Sequence, residues 1–413
     1  MNRSTKATES GGPRPTTAPR LSAGGSLSCR PACPERDGDV AFGEPSVGLS
    51  AGETSSDSSG AASEGGASGA ASGGGASFAR RSPTYYELPA PPELDWRPYR
   101  PESYAEYRRE WDRRGREGDP GLFPLHLDID PTSRCNLRCR MCPRTWYVER
   151  GETAWAPSGP GDMDLGLYRE AVREGARLGV RSVKLNFLGE PLLHPDILAM
   201  ARLASELGLW VMMNTNATLL TPALGRALLE AGLTDVFFSF DSPYREDYER
   251  IRTGASYEGT LSNIRAFMEA KEALGLRHVQ TRASMVLPED PAGRDRVKRD
   301  YVRLFRSMGV AEVGFGLPTV MGRDYAPLNE GLGFACPDLF RRVFVFRDGV
   351  AGPCCGDWER RLVVGDLASG TLEGIWLSDA YAELRGKHLA GRFRDVPACR
   401  SCSVPYLSAA GDP

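Results

Sequence analysis

The stretch Pro131-Thr-Ser-Arg-Cys-Asn-Leu-Arg-Cys-Arg-Met-Cys-Pro143 places three cysteines, Cys135, Cys139 and Cys142, in the spacing C-x3-C-x2-C. It follows residues 125–130, where apolar and polar side chains alternate and predict a β-strand. No other cysteine occurs in the next hundred residues. Structural zinc and iron–sulfur sites are normally closed by four protein ligands, so a site with three keeps one coordination position open. An open position is what a catalytic metal needs.

Strand-like and helix-like patterns alternate from residue 122 to about residue 318. The predicted strands are 125–130, 182–188, 210–214, 235–240, 279–286 and 312–317. Amphipathic segments between them, such as 165–178, 196–207 and 222–231, predict helices. Repeated strand–helix units indicate a parallel sheet. Periodicity alone leaves open whether this sheet is doubly wound or forms a barrel.

The composition is that of a globular protein: 413 residues, 41% hydrophobic and 25% charged. A net charge of −3 gives no electrostatic case for binding nucleic acid or membranes. The sequence shows no apolar run that could span a membrane and no secretory signal at its start. Ten cysteines in such a chain indicate metal or catalytic use in a reducing compartment. We therefore expect a cytoplasmic protein with no nucleic-acid or membrane partner.

Residues 1–82 are predicted to form a disordered tail. Of the 30 residues from 51 to 80, 24 are Gly, Ala or Ser, and such a segment buries too little apolar surface to offset its ordering entropy. Cys29 and Cys33 lie in it and are expected to be free thiols. Beyond the tail, aromatic residues spaced three and four apart predict one face of a short helix packed on the next domain: Tyr104, Tyr107 and Trp111.

Polar motifs follow the predicted strands on the side of the cysteine loop. The second strand is followed by Gly189, which permits close backbone approach, and by the carboxylate of Glu190. The third ends at Asn214, which is also compatible with a simple helix entry. Pairs at period-two spacing on the fourth and fifth strands are Ser239 with Asp241 and Arg282 with Ser284. Ordinary turns and a surface arginine are the structural alternatives for these motifs.

Five cysteines remain near the C-terminus: Cys336, Cys354, Cys355, Cys399 and Cys402. Four thiolates close a zinc or an iron–sulfur site, and sulfur ligands alone do not separate the two metals. We predict Cys336, Cys354, Cys399 and Cys402 as the ligands. Cys355 is then an alternate ligand, a buried inert thiol or a hydrogen-atom donor.

The three-cysteine loop resembles the signature of radical S-adenosylmethionine (SAM) enzymes, and Leu188-Gly-Glu-Pro191 resembles their Gly-Gly-Glu-Pro motif. This resemblance implies a partial (β/α)6 TIM barrel over 122–320, with the site at the carboxyl ends of the strands. It implies a [4Fe–4S] cluster on Cys135, Cys139 and Cys142, whose open iron binds SAM and cleaves it to a 5′-deoxyadenosyl radical. The implied SAM-binding residues are Gly189, Glu190, Asn214, Ser239, Asp241, Arg282 and Ser284.

Residues 321–413 resemble the shortened SPASM, or twitch, domain of the same family, which carries an auxiliary [4Fe–4S] cluster. The cysteine spacing is similar to that of the family's 2-deoxy-scyllo-inosamine dehydrogenases. Residues 83–121 would form a helical extension in front of the core.

The resemblance implies hydrogen-atom abstraction from an unactivated carbon. If that carbon bears a hydroxyl, an oxidised auxiliary cluster can accept the second electron and a ketone forms. We therefore expect a radical SAM oxidoreductase acting on a secondary alcohol of a sugar- or aminocyclitol-type intermediate of antibiotic biosynthesis, with flavodoxin or ferredoxin as reductant. The alternatives are an epimerase, another radical modification of a sugar or peptide, and a non-catalytic zinc-binding interaction protein.

The reaction needs a residue that accepts the hydroxyl proton. His126, Lys184 and His194 are the titratable candidates, and the sequence does not choose among them. An epimerase would also need a thiol to return a hydrogen atom, a role open to Cys355 or Cys336.

Overall fold

The computed structural model describes residues 79–409, except for 83, 84, 154, 158 and 291. The predicted tail therefore lies outside the described residues up to position 78, as do Cys29 and Cys33. At the end of the predicted tail, Ala79–Ser82 forms a strand whose backbone pairs antiparallel with Tyr85–Leu88.

The helices and strands of the described residues are numbered in chain order. The strands are β1 Ala79–Ser82, β2 Tyr85–Leu88, β3 His126–Ile129, β4 Arg138–Cys139, β5 Ser182–Leu185, β6 Trp210–Thr215, β7 Leu233–Ser239, β8 Arg252–Thr253, β9 Gln280–Val286, β10 Glu312–Gly316, β11 Arg342–Val345, β12 Val350–Gly352 and β13 Gly365–Asp366. The α-helices are α1 Glu102–Glu117, α2 Pro143–Glu149, α3 Leu165–Leu178, α4 Ile197–Glu206, α5 Pro222–Glu230, α6 Arg245–Ile251, α7 Tyr257–Ala273, α8 Arg294–Arg306, α9 Leu372–Trp376, α10 Asp379–Leu389, α11 Pro397–Arg400 and α12 Ser403–Ala409.

The six predicted strands form the parallel sheet, and all six predictions are confirmed. The strands β3, β5, β6, β7, β9 and β10 lie side by side in chain order, each parallel to the next. A doubly wound sheet reverses its strand order at a switch point, and the order of these six strands shows no reversal. Right-handed crossovers in one direction place the helices on one face, so the sheet curls into a partial (β/α)6 barrel. This settles the choice that periodicity left open.

Alternation along the strands gives the barrel an apolar outer face and a polar interior. Leu127 lies against Gly175 of α3, so the odd-numbered residues of β3 face the helices. His126 and Asp128 therefore face the interior, and Lys184 shares that face because it is in register with Asp128. This polar interior positions the candidate site.

Helix α1 covers the amino ends of the strands, which confirms the predicted aromatic face. The Tyr104 ring lies 5.1 Å from that of Trp210, the first residue of β6. The hydroxyl groups of Tyr107 and Ser182 are 2.8 Å apart, at the start of β5. Trp111 then packs edge-on against His126 at the start of β3. The amino end of the barrel is thus filled by protein side chains.

The C-terminal cysteine region continues the barrel sheet. Strand β11 pairs in parallel with β3, and β12 and β13 follow antiparallel. At the opposite edge, β2 pairs antiparallel with β10. Within the described part of the chain, no helix has the length and apolar character needed to cross a membrane.

Candidate functional site

The three cysteines of the loop after β3 line one cavity at the carboxyl end of the barrel. This cavity has a volume of about 390 Å³ and is also lined by the ends of β5, β6 and β7 through Asn186, Asn214 and Ser239. Side chains from three consecutive strand ends therefore meet the three thiols of the loop after β3, as predicted for a site at the mouth of the barrel.

Two nitrogen donors approach the sulfur atoms. Asn216 Nδ2 lies 4.0 Å from Cys135 Sγ, and Arg252 Nη1 lies 4.0 Å from Cys139 Sγ. Arg252 reaches the loop because β8 pairs antiparallel with β4, which contains Cys139. Donors placed next to the sulfurs stabilise negative charge on them, as a metal-bound thiolate requires.

Two of these thiols, Cys135 and Cys139, stay protonated at neutral pH unless a cation is bound. Burial raises the pKa of Cys135, and it raises the pKa of Cys139 to about 12, with Arg252 as a partial offset. A metal supplies the positive charge that releases such protons. In the described residues, no three His, Cys, Asp or Glu side chains are close enough to hold a single ion. The ligands of a four-iron cluster each bind a different iron, so they need not converge on one point.

Gly189 and Glu190 pack against the cysteine loop. A Cβ atom at Gly189 would lie 1.8 Å from the carbonyl oxygen of Thr132, so only glycine permits this contact. The Glu190 carboxylate accepts hydrogen bonds from the Thr215 hydroxyl at 2.7 Å and the Asn216 backbone N–H at 2.7 Å. Burial raises its pKa. The predicted close approach is confirmed, and the carboxylate joins the ends of β5 and β6.

Two amide oxygens at the cavity have no hydrogen-bond partner among the described residues. They are Oδ1 of Asn214, a predicted cofactor-binding residue, and Oδ1 of Asn186 on the neighbouring strand end, and both are buried. Buried polar atoms are normally hydrogen-bonded, and an orphaned one costs about 1–3 kcal/mol. A polar ligand in the cavity would satisfy both.

Three other predicted SAM-binding residues differ in position. The carboxylate of Asp241 forms an ion pair with Arg252 at 2.6 Å and accepts the backbone N–H of Val286. Arg282 lies deeper in the barrel, where its guanidinium is 3.6 Å from the carboxylate of Glu87. Ser284 is in register with the cavity residue Ser239. In the structure, Ser239 therefore lines the cavity. Asp241 and Arg282 instead form ion pairs with other residues of the protein.

The three candidate proton acceptors occupy different places. His126 lies at the amino end of β3, where its Nδ1 is 2.6 Å from the hydroxyl of Ser182, so the structure places this candidate at the opposite end of the strand from the cysteine loop. His194 is held by the carbonyl of Met163 at 2.9 Å.

Lys184, the third candidate, lies halfway along the barrel. No hydrogen bond or ion pair joins its ammonium group to another described residue, and its Nζ lies 5.4 Å from the centroid of Phe237. Burial lowers the pKa of Lys184 to about 8, although Asp128 acts in the opposite direction. Such a lysine loses its proton near neutral pH.

The C-terminal cysteines form a second group. Cys354, Cys399 and Cys402 line another cavity of about 390 Å³. Cys336 belongs to the same group, because negative charge on Cys355, Cys336 and Cys402 adds to the effect of burial in raising the pKa of Cys354. Asn329 is fully buried and donates to the carbonyls of Arg400 and Cys402, at 2.8 and 2.9 Å. These contacts hold the 399–402 loop in place.

Cys355 lies near this group, because its negative charge adds to burial in raising the pKa values of Cys354 and Cys402, but it does not line the second cavity. Arg342 Nη2 lies 3.5 Å from Cys355 Sγ, and Nη1 of the same arginine donates to Asp128 at 3.0 Å. Asp128 and Lys184 face the barrel interior, and Cys355 is accessible to water. These two neighbouring cysteines therefore face different sites. Cys354 faces the second cavity, and Cys355 faces the barrel interior.

Sequence reasoning missed Arg252, Asn186 and Asn329. Arg252 lies in Arg252-Thr-Gly254, whose likeness to family sequences was the only available signal. Asn186 lies inside the second predicted strand, 182–188, where an interior polar residue could have been noted. Asn329 lies 71 and 73 residues before Arg400 and Cys402, whose carbonyls it binds, and gives no local signal.

Two family models match the chain. The first, described as the radical SAM superfamily, matches residues 129–279, and the second, the SPASM iron–sulfur cluster-binding domain, matches residues 336–403. Together they cover more than half of the chain.

Similar curated proteins include a tungsten-containing aldehyde ferredoxin oxidoreductase cofactor-modifying protein of Pyrococcus furiosus, 34% identical over 28% of this chain and 30% of that protein. An AdoMet-dependent heme synthase of Methanosarcina barkeri is 32% identical over 36% of this chain and 40% of its own length. A PqqA peptide cyclase of Methylobacterium nodulans is 32% identical over 37% of each chain. The chain thus spans 30–40% of the length of these relatives.

Similar solved structures include BtrN in complex with AdoMet and 2-DOIA, 16% identical, covering 68% of this chain and 93% of that chain, with a TM-score of 0.44. SuiB of Streptococcus suis bound to its precursor peptide SuiA is 16% identical, covers 69% of this chain and 72% of that one, and has a TM-score of 0.44. The anSMEcpe protein with bound AdoMet is 17% identical, covers 68% and 84%, and has a TM-score of 0.46.

The chain belongs to the radical SAM superfamily and carries a C-terminal SPASM domain. Its cofactors are [4Fe–4S] clusters and SAM. The residues fit both: three thiols with donors beside them and two unsatisfied amides at the first cavity, and a group of C-terminal thiols at the second. Neither match supports the zinc-binding alternative.

Proposed function

We propose that this chain is a radical SAM oxidoreductase that oxidises a secondary alcohol of a small hydroxylated substrate to a ketone. The observation that carries the proposal is the division of the Cys354–Cys355 pair. Cys354 lines the cavity of the auxiliary cysteines, whereas Cys355 faces the barrel interior beside Arg342. The auxiliary site therefore adjoins the space in which a substrate would meet the first cavity.

The ligand sets follow from the two groups of thiols. Cys135, Cys139 and Cys142 hold the first cluster, and Cys336, Cys354, Cys399 and Cys402 hold the auxiliary one. When bound, the first cluster and SAM supply a radical that removes a hydrogen atom, and the auxiliary cluster supplies an acceptor for the remaining electron. The chain itself must then orient the alcohol and accept its proton.

We assign Lys184 as the base that accepts the proton of the substrate hydroxyl. It faces the barrel interior, has no ion-pair partner among the described residues, and has a pKa lowered by burial to about 8. A general base works best when its pKa lies near the working pH. Asp128 and Arg342, which form an ion pair at 3.0 Å, lie beside it and would orient the substrate hydroxyl.

The polar lining of the interior supports a hydroxylated substrate such as a sugar or an aminocyclitol. The unsatisfied amides of Asn186 and Asn214 lie at the mouth, and Lys184 and Asp128 lie below. Hydroxyl groups donate and accept hydrogen bonds, so they satisfy both amides and charged groups. An external reductant such as flavodoxin or ferredoxin completes the proposal.

Epimerisation is the second candidate, because the Cys355 thiol is accessible on the barrel side. In that reaction the thiol returns a hydrogen atom to the substrate carbon, and the substrate mass does not change. Dehydrogenation removes two hydrogens and leaves the thiol unused.

The test is anaerobic reconstitution with iron and sulfide, followed by incubation with SAM, a reductant and a panel of aminocyclitols and sugars. We expect 5′-deoxyadenosine and a product lighter by two hydrogens, formed at a similar rate by Cys355→Ala. A product of unchanged mass in H2O that gains one deuterium in D2O, and that Cys355→Ala does not form, would establish epimerisation instead. Failure to form 5′-deoxyadenosine despite a full iron content would refute both.

A further inference from the structure

His388 lies behind one of the auxiliary cysteines. It belongs to α10, and its imidazole is buried, with 2% of its surface exposed. Its Nδ1 accepts a hydrogen bond from the backbone N–H of Cys336 at 3.2 Å. Neither the fold nor the proposed reaction accounts for a buried histidine that binds the amide of a cysteine ligand.

The hydrogen bond fixes the state of the ring. A backbone N–H can only donate, so Nδ1 carries no proton and the proton of the neutral ring is on Nε2. The Phe393 ring packs beside it, with centroids 6.1 Å apart. His388 is therefore a neutral acceptor aimed at one amide.

Helix α10 is also fixed to this segment by a second residue. Arg385, one turn before His388, donates to the carbonyl of Leu339 and to that of Trp376, both at 2.9 Å. Leu339 lies three residues after Cys336 in the same short helical segment. The segment thus stays attached to α10 if His388 is replaced, and the effect of the imidazole on the Cys336 amide can be studied by itself.

The hydrogen-bond partner of the Cys336 amide affects the auxiliary cluster, which is the proposed electron acceptor. Backbone N–H groups near a cluster commonly donate to its sulfurs, and such hydrogen bonds help to set the reduction potential. They favour the reduced cluster because it carries more negative charge. An amide that donates to an imidazole does not donate to sulfur.

We propose that His388 is a positioning residue of the auxiliary site, which binds the Cys336 amide, withholds it from the cluster sulfurs and so lowers the reduction potential of the auxiliary cluster. This inference rests on the proposed function only in assigning Cys336 as a ligand. It concerns how readily the auxiliary cluster accepts an electron.

The experiment is a potentiometric titration of the full-length, reconstituted chain, followed by electron paramagnetic resonance. We expect His388→Phe to shift the midpoint potential of the auxiliary cluster upwards and to change its spectrum. His388→Asn keeps an acceptor oxygen and should remain close to the original chain. His388→Leu is the second variant if the phenyl ring prevents cluster loading. Tyr381→Phe is the control, since this α10 ring bonds to the carbonyl of Arg342 and not to a cysteine.

An unchanged potential and spectrum in fully loaded His388→Phe or His388→Leu would overturn the inference. An equal shift in Tyr381→Phe would also overturn it, because the shift would then reflect general loosening of α10. If the unsubstituted chain bound only enough iron for one cluster, both this inference and the assignment of an auxiliary cluster site would be overturned. Formation of 5′-deoxyadenosine tests the proposed function separately.

Discussion

The two ends of the barrel differ in whether their buried polar side chains bond to other protein groups. At the amino end, Arg100 donates to the carboxylate of Asp235 at 3.0 Å and to the carbonyl of Thr234 at 2.8 Å, although Arg100 Nη1 and Asp235 Oδ1 have no hydrogen-bond partner among the described residues. At the carboxyl end, the amide oxygens of Asn186 and Asn214 are buried without a partner in the described part of the protein. Both ends belong to the same strands, so the sheet does not explain the difference.

The difference separates structural polar groups from those available to a ligand. Buried charged groups that are bonded to one another belong to the fold, and loss of one member leaves the other charge without its partner. An unsatisfied group destabilises the free protein and recovers that free energy when a ligand binds. Substitutions at the amino end should therefore cost stability, whereas those at the carboxyl end should cost binding or activity.

The largest effect is expected at the cysteine loop. Cys139→Ala should remove the first cluster, halve the iron content approximately, and abolish 5′-deoxyadenosine formation, because two thiolates do not hold the cluster. Iron analysis and chromatography of the nucleoside measure this. Cys355→Ala is the matched control and should keep the full iron content. Loss of iron from Cys355→Ala would show that Cys355, and not Cys354, is the auxiliary ligand.

The next effect concerns Lys184. Lys184→Met should lower turnover by about 10²–10⁴-fold, the usual contribution of a general base. Because the neutral amine is the active form, turnover of the original chain should rise with pH through about 8, and the variant should lose this rise. The measurement is the pH dependence of product formation.

Lys271→Met is the control for this experiment. Burial also lowers the pKa of Lys271, but this residue lies on the outer helix α7. Its substitution should leave the pH profile unchanged. A Lys184→Met variant that keeps the rise near pH 8 would assign the proton to another group.

A smaller effect, on stability, is expected at the amino end. Arg100→Met should lower the free energy of unfolding by about 3–5 kcal/mol, since it leaves the carboxylate of Asp235 buried without its partner. Arg109→Met, which breaks an exposed ion pair with Glu102, should cost less than about 1 kcal/mol. Denaturant unfolding of the apoprotein measures both. Equal effects would contradict the structural role of the amino-end network.

The sequence predicted the individual strands and helices better than it predicted how they pack together. All six barrel strands were found, and α3 was predicted at its observed bounds, because alternation and helical periodicity are local signals. The choice of a barrel needed the strand order, which depends on long-range pairing. The pairing of β11 with β3 joins residues more than 200 positions apart, and no local pattern indicates it.

The candidate site shows the same limit. The three cysteines and Gly189 were found because they lie in loops after predicted strands, and Asn214 was found because it lies at the end of one. Arg282 was assigned to SAM binding, but its ion-pair partner is Glu87, on a strand almost 200 residues earlier. The alternation of side chains along a strand predicts which face of the sheet a residue occupies. Its depth in the barrel and its bonding partner depend on tertiary packing.

The smallest effect is expected at Asn214, and it separates the two ends most sharply. Asn214→Leu should weaken SAM binding by about 10-fold, the equivalent of about 1.4 kcal/mol, through loss of a hydrogen bond to the ligand. The free energy of unfolding should stay the same or rise by about 1 kcal/mol, because an unsatisfied buried amide is removed. Equilibrium dialysis with SAM and denaturant unfolding give the two values.

The matched substitution at the amino end is Gln280→Leu. Gln280 is buried and donates to the carboxylate of Glu312, so its loss should lower the free energy of unfolding by about 1–3 kcal/mol and leave SAM binding unchanged. Asn214→Leu should thus lower SAM affinity without a loss of stability, whereas Gln280→Leu should lower stability without a loss of SAM affinity. If Asn214→Leu lost stability as Gln280→Leu does and kept its affinity for SAM, the unsatisfied amide would be a packing defect and not part of a binding site.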